Sequence, residues 1–161
     1  MRLNIISLLL VLLLSCMAAA DTVYLVRHAE KLADGKDPAL TVCGQARADA
    51  LATSLTAVKL AAVYATPYQR TGQTAAAVAK QQQLEVTTYD PRQPEVLVQQ
   101  LKALSQPALV VGHSNTVPEL VAQLSGIAMA PLTEQDYDLL YQVTLTTPAS
   151  VNISRQNFRC K

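Results

Sequence analysis

Apolar residues after position 20 follow two alternating patterns. Short runs of apolar and β-branched residues, typical of β-strands, occupy residues 22–26, 60–65, 84–88 and 108–111. The last two runs are apolar or β-branched enough to predict buried strands. Helical spacing occurs at residues 46–58 and at 97–104 after Pro94, and the Ala-rich segment 67–82 favours a helix. The alternation predicts an α/β fold with a mostly parallel sheet.

The C-terminal part of the chain changes to a period of two. Apolar and more polar positions alternate over residues 139–145, and they alternate again at Val151 and Ile153 after a break at residues 148–150. A period of two is that of a half-buried strand, and the break is typical of a turn between two strands. This pattern predicts an antiparallel addition at one edge of the sheet.

Residues 1–20 differ from the rest of the chain. They contain one basic residue, Arg2, then an apolar run at residues 5–14 that Ser7 interrupts, and three alanines at residues 18–20. This pattern predicts a secretory signal peptide over residues 1–20, followed by a single domain over residues 21–161. The run is about half the length that a membrane-spanning helix needs, so no stable membrane span is expected. We therefore expect an exported, periplasmic protein.

Two kinds of signal cleavage remain open. Ordinary cleavage after Ala20 suits the three alanines, whereas residues 13–16 loosely resemble a lipoprotein box, which would place a lipid anchor on Cys16. Cys43 and Cys160 also allow two interpretations. They form a disulfide in an oxidising compartment, or Cys43 is a small apolar residue and Cys160 a terminal thiol.

Net charge and composition exclude one class of partner. The formal charge is +1, and it becomes zero when Arg2 is removed, because residues 1–20 contain no acid. The chain has no dense basic run and no Trp, so neither phosphate-backbone attraction nor base stacking supports nucleic acid binding.

Basic side chains follow three of the predicted strands directly. Arg27 and His28 come after the first strand, and His113 follows the fourth. Arg70 lies within the first turn of the helix that follows the second strand. The carboxyl ends of parallel strands meet at one edge of a sheet, where helix N-termini also present free N–H groups. Arginine guanidinium groups match the oxygens of a phosphate, so these residues together predict a pocket for a phosphate dianion.

Residues around His113 support the same pocket. Gly112 allows a close approach of the backbone. Ser114 and Asn115 either donate hydrogen bonds to the phosphate or only cap the following helix, which tolerates Pro118 near its first turn.

Four stretches of the chain carry a family resemblance. Leu25-Val26-Arg27-His28-Ala29-Glu30-Lys31 resembles the Arg-His-Gly/Ala signature of the histidine phosphatase superfamily, which is phosphoglycerate mutase-like. Residues 40–48, 65–75 and 110–115 resemble the first-helix, second-arginine and second-histidine segments of that family, in the family order. The resemblance implies a three-layer α/β/α fold, with His28 as nucleophile and with Arg27, Arg70 and His113 holding the phosphoryl oxygens.

The implied reaction is hydrolysis without a metal or another cofactor. Neutral His28 attacks phosphorus, the two arginines and a protonated His113 neutralise the oxygens, and water then hydrolyses the phosphohistidine. A metal site formed by His28, His113 and Glu30 is disfavoured because it leaves the arginines without a purpose.

The acid that protonates the leaving group is the open part of this mechanism. Glu95 is our first candidate, although at a helix start it also complements the helix dipole. Asp34 and Asp90 are the alternatives, and small phosphohistidine phosphatases lack a clear acid. Glu30 and Lys31 are interpreted as an exposed loop ion pair.

Tyr68 is expected either to line the pocket or simply to pack against neighbouring residues.

Two other functions compete with hydrolysis of a small phosphorylated substrate. A mutase keeps its phosphoenzyme alive under a covering insertion, but the stretch between Gln82 and Ala108 is committed to another strand and helix. A non-catalytic phospholigand-binding module would not need all four basic residues. The identity of the substrate and the oligomeric state stay open, and export suggests envelope or nutrient phosphates.

Overall fold

The computed structural model describes residues 21–160 of the 161-residue chain. The expected signal peptide, with Cys16, lies outside the described residues. No helix in the described part is long and apolar enough to cross a membrane.

Strands and helices alternate through the first two thirds of the domain. In chain order, the elements are β1 (Thr22–Arg27), α1 (Val42–Ser54), β2 (Ala62–Ala65), α2 (Gln69–Gln82), β3 (Val86–Thr88), α3 (Pro94–Ala103), β4 (Ala108–Gly112), α4 (Thr116–Ser125), β5 (Leu139–Thr144) and β6 (Ser150–Arg155). Every predicted element is present, and α3 begins at Pro94 as expected from its fixed backbone dihedral.

One six-stranded sheet joins the elements in the order β3-β2-β4-β1-β5-β6. The pairs β2–β3, β2–β4 and β1–β4 are parallel, and in the central pair Leu25 lies opposite Val110. The last two strands are antiparallel, first β5 to β1 and then β6 to β5. The α/β fold with an antiparallel C-terminal edge is therefore confirmed.

The helices pack against alternate side chains of the sheet. Leu25 and Val110 belong to a buried cluster with residues of α3 and α4. Their neighbours Val26 and Val111, which point to the opposite face, belong to a second cluster with residues of α1 and α2. Each of these four side chains is fully buried, and burial of such a side chain contributes roughly 1.5–3 kcal/mol.

The predicted burial of the third strand is wrong. Val86 is only half-buried, and Thr87 and Thr88 are exposed, because β3 is an edge strand that pairs only with β2. β-branched residues suit an exposed edge as well as a buried strand.

The N-terminus of α1 holds the loop that follows β1. The hydroxyl of Thr41 accepts a hydrogen bond from the Gly44 N–H at 3.0 Å and caps the helix. The Thr41 N–H donates to the carbonyl of Glu30 at 2.9 Å. A Cβ atom at Gly44 would collide with the backbone of Glu30, so only glycine permits this close approach.

A disulfide between Cys43 and Cys160 joins α1 to the end of the described chain. The Cα atoms are 5.6 Å apart, within the usual range for a disulfide. The Phe158 ring lies beside it, 5.1 Å from the guanidinium carbon of Arg47. The alternative interpretation, in which both cysteines are free, is wrong, since the C-terminal segment returns to α1.

Candidate active site

His28 is held rigidly at the end of β1. Its N–H donates to the carbonyl of Gly112 at 2.9 Å, and its ring Nδ1 lies 2.8 Å from the carbonyl oxygen of Ala29. A carbonyl oxygen only accepts, so Nδ1 carries the proton and the neutral ring keeps its lone pair on Nε2. With 3% of the residue exposed, this lone pair lies in a largely water-excluded position.

His113 is oriented by a chain of hydroxyl groups. Its Nε2 lies 2.8 Å from the hydroxyl of Thr66, which in turn lies 2.9 Å from the hydroxyl of Thr71. Thr71 also faces two carbonyl oxygens at 2.8 and 2.9 Å, so its single proton goes to one of them. Thr66 then donates to Thr71 and accepts from His113, which places the proton of neutral His113 on Nε2.

The two predicted histidines and the two predicted arginines share one cavity of about 440 Å³. The centroids of the His28 and His113 rings are 5.5 Å apart in an edge-on arrangement. Arg27 is 3% exposed, and the Arg70 side chain is 16% exposed. The Nε atoms of both arginines are buried and have no hydrogen-bond partner among the described residues. Both arginines line the cavity, so their guanidinium groups supply positive charge for an anion there.

Both histidines are neutral in the empty cavity at neutral pH. Burial, followed by the charges of Arg27 and Arg70, lowers the pKa of His28 to about 4, against the opposing effect of the Ala29 hydrogen bond. Burial and the same two charges lower the pKa of His113 to about 4 as well. The protonated His113 that the family resemblance implies belongs to the reaction with bound substrate, and it stays a prediction.

The segment between α4 and β5 covers Arg27. Nη1 of Arg27 donates to the carbonyl of Thr133 at 2.6 Å, and Nη2 donates to Oε2 of Glu134 at 2.9 Å. The Tyr137 ring lies 4.2 Å from the Arg27 guanidinium carbon and 6.0 Å from the His28 ring centroid. Sequence reasoning missed these three residues, since they lie more than 100 positions from Arg27 and belong to no quoted motif.

Ser114 and Asn115 also line the cavity. Asn115 is the N-cap residue of α4, but its side chain makes no capping hydrogen bond there. The hydroxyl of Thr116 instead accepts from the His113 N–H at 2.9 Å. A Cβ atom at Gly112 would lie 2.8 Å from that hydroxyl, which explains the glycine before His113.

Tyr68 lines the cavity too, with its ring centroid 5.2 Å from that of His113 and 4.6 Å from the Arg70 guanidinium carbon.

The three candidate acids are not brought to the cavity. Glu95 lies exposed in the first turn of α3, and Asp34 is exposed in the loop after β1. Asp90 pairs with Arg92 at 2.8 Å, and it faces neighbouring surface clefts instead. The acidic residue that lines the cavity is Glu134.

The interpretation of Glu30 and Lys31 as an exposed pair is wrong. Arg47 of α1 binds the Glu30 carboxylate through Nε and Nη2, with distances from 2.6 to 3.0 Å. Only 20% of the Glu30 side chain and 8% of the Arg47 side chain are exposed, so the pair is half-buried and fixes the loop after His28. Lys31 instead lines the cavity.

The described residues offer one cluster with metal-ligating side chains, formed by Glu30, Cys43 and Cys160. Its sulfur atoms form the disulfide and its carboxylate binds Arg47, so it provides no thiolate ligands.

Comparison with known proteins identifies the family. Residues 23–96 match the family model of the histidine phosphatase superfamily (branch 1). No curated protein matches the sequence.

Among solved structures, the protein histidine phosphatase SixA, complexed with tungstate, has a TM-score of 0.69 and 21% identity, covering 84% of this chain and 97% of that chain. A mycobacterial glucosyl-3-phosphoglycerate phosphatase has a TM-score of 0.68 and 12% identity, covering 86% of this chain and 99% of that chain. At these identities the likeness concerns the fold. With the family model and the motifs, it identifies the chain as a member of the histidine phosphatase superfamily.

Proposed function

We propose that this protein is a phosphatase that hydrolyses a phosphomonoester or a phosphoramidate through a phosphohistidine on His28. The observation that carries the proposal is the fixed ring of His28. Its Nδ1 proton is held by the Ala29 carbonyl, and its ring lines one cavity with Arg27 and Arg70. A neutral imidazole with a fixed tautomer is prepared for nucleophilic attack.

The buried arginine donors recognise the phosphoryl group. The guanidinium groups of Arg27 and Arg70, which line the cavity, donate to its oxygens and neutralise the charge that builds up during transfer. Burial, and then the charges of Arg70 and Arg27, lower the pKa of His113, and a bound dianion raises that pKa because it offsets the two positive charges. His113 therefore gains a proton on substrate binding and becomes a third cationic donor.

Fixed cations replace the divalent ion that other phosphoryl-transfer enzymes use. Arg27 and Arg70 already supply positive charge where Mg²⁺ would stabilise the transition state. A divalent ion beside them would be repelled. We accordingly expect activity that survives a chelator.

The substrate class follows from the cavity and its neighbours. A cavity of about 440 Å³ holds more than a phosphate ion, so it accommodates a small leaving group as well. The name of SixA describes action on phosphohistidine in a protein, which supports including phosphoramidates among the candidates.

We also propose that the protein works outside the cytoplasm. The Cys43–Cys160 disulfide supports this proposal, since such bonds persist in oxidising compartments. Cleavage of the expected signal peptide can be read from the N-terminal sequence of the secreted protein, and mass spectrometry would reveal a lipid on Cys16.

Phosphate release tests the proposal directly. We expect the wild-type protein to release phosphate from p-nitrophenyl phosphate in the presence of EDTA, and His28→Ala to release none. Retained phosphate binding with no turnover would instead indicate a non-catalytic module. Exclusive isomerisation of a phosphorylated sugar, without release, would indicate a mutase.

A further inference from the structure

We propose that Glu134 is the general acid of this reaction, and that Arg27 holds it as a carboxylate until the phosphoryl group of the substrate displaces it. The inference rests on the proposed function, because it assigns the proton that the leaving group needs. It differs from the sequence expectation, in which Glu95, Asp34 or Asp90 supplies that proton.

Position is the first argument. Glu134 is the acidic residue among those that line the cavity, which also contains His28. The backbone around it is anchored, since the Leu132 N–H donates to the Ser114 carbonyl at 2.9 Å. The Thr133 N–H donates to the Asp136 carboxylate at 2.8 Å. The segment is therefore fixed at the cavity mouth.

Freedom of the side chain is the second argument. The Glu134 side chain is 79% exposed although its carboxylate binds the buried Arg27 guanidinium at 2.9 Å. An ion pair with so exposed a partner is weak and exchanges readily. The carboxylate can therefore leave Arg27 while the backbone stays in place.

Chemical equivalence is the third argument. Nη2 of Arg27 donates to an anionic carboxylate oxygen of Glu134, and a phosphoryl group offers anionic oxygens that accept the same kind of hydrogen bond. A dianion at Arg27 would displace the carboxylate and repel it. In the empty cavity, the Arg27 hydrogen bond lowers the pKa of Glu134, and loss of that bond next to a dianion reverses the effect. Glu134 then takes up a proton from the solvent.

The proton balance closes over one turnover. In the first step Nε2 of His28 bonds to phosphorus, the bond from phosphorus to the ester oxygen breaks, and the Glu134 carboxyl gives its proton to that oxygen. In the second step the Glu134 carboxylate takes a proton from water, the water oxygen bonds to phosphorus, and the bond from phosphorus to Nε2 breaks. His28 is regenerated, the phosphate dianion leaves, and Glu134 releases its proton to the solvent as its carboxylate binds Arg27 again.

Two aryl esters test the assignment. Phenyl phosphate has a basic leaving group that needs protonation, whereas p-nitrophenolate leaves readily as an anion. We measure kcat/KM, which reports the steps up to departure of the phenol, for wild type, Glu134→Gln and the control Glu85→Gln. Glu85 is exposed and precedes β3, at the opposite ends of the parallel strands.

We expect Glu134→Gln to lower kcat/KM for phenyl phosphate about 100-fold, and for p-nitrophenyl phosphate by less than about tenfold. The same variant removes the charge that competes for Arg27, so inorganic phosphate should inhibit it about two- to fivefold more tightly. Glu85→Gln should match the wild type in all three measurements.

Equal losses on both esters, or no loss on either, would overturn the role of Glu134 as acid. Unchanged or weaker inhibition by phosphate would overturn its displacement from Arg27. A wild-type protein that releases phosphate from neither ester and from no phosphoramidate would instead refute the proposed function itself, so the two failures are distinguishable.

Discussion

Replacing Thr66 by Val removes the hydroxyl that receives the Nε2 proton of His113 and keeps the side-chain volume. Thr66 is 2% exposed, so its hydroxyl is shielded from the solvent. The change leaves His113 Nε2 without its acceptor at 2.8 Å and deprives Thr71 of a donor at 2.9 Å. A buried group left unpaired costs about 1–3 kcal/mol. We expect the free energy of unfolding to fall by about that amount.

The same substitution should reduce activity more than stability alone explains. Without Thr66, the His113 ring can turn away from the phosphoryl oxygens, and misplacement of about 1 Å costs roughly 100-fold in rate. We expect kcat/KM for p-nitrophenyl phosphate to fall about 10- to 100-fold. Thr66→Ser keeps the hydroxyl and should retain most of the activity.

Nitrogen NMR of the two imidazole rings shows which ring nitrogen carries the proton. In the wild type at neutral pH we expect the proton of His113 on Nε2 and that of His28 on Nδ1. Thr66→Val should alter the signals of His113 and leave those of His28 in place. Wild-type kcat/KM in Thr66→Val, or a wild-type His113 proton on Nδ1, would refute the hydroxyl chain.

Two further predictions follow from burial and from close packing. Both histidines should titrate near pH 4 by proton NMR in the unliganded protein. Because their folded pKa lies below the unfolded value, stability should fall as pH drops from about 6.5 towards 4, by at most about 3 kcal/mol each; midpoints near 6.5 would contradict this. Gly44→Ala should collide with the Glu30 backbone and lower the unfolding temperature, whereas Gly72→Ala has nothing within 4 Å and should raise it slightly; equal effects would be contrary evidence.

The sequence predicted the parts of the fold that local pattern determines. The apolar runs of β1 and β4 and the period of two in β5 and β6 predicted their elements, since burial on one or both faces dictates those patterns. The exposure of β3 could not be predicted in this way. Its residues suit a buried strand and an edge strand equally, and only the sheet order decides.

Likewise, part of the candidate site could be predicted from the sequence and part could not. Arg27, His28, Arg70 and His113 could be placed together because each follows a strand or opens a helix at one edge of a parallel sheet. Glu134 lies in a loop whose path depends on tertiary packing. Its sequence carries no periodicity that predicts contact with Arg27.

The sequence also did not predict two buried polar contacts, the Glu30–Arg47 ion pair and the Thr66–His113 hydrogen bond. The Glu30–Arg47 pair joins two segments 17 residues apart, and a charge beside Lys31 is more simply interpreted as exposed. Thr66 carries a weak signal, since it is a hydroxyl residue directly after a strand and within a recognised motif. Its hydrogen bond to His113 depends on the β2–β4 pairing, which the sequence does not state.

The central claim is that phosphorus becomes bonded to Nε2 of His28. Rapid quenching of the enzyme with phenyl phosphate into alkaline denaturant preserves a phosphohistidine, and peptide mass spectrometry with phosphorus NMR then locates it. We predict a phosphoryl group on Nε2 of His28 in the wild type and none in His28→Ala. A phosphoryl group on any other residue, or turnover by His28→Ala at the wild-type rate, would contradict the account.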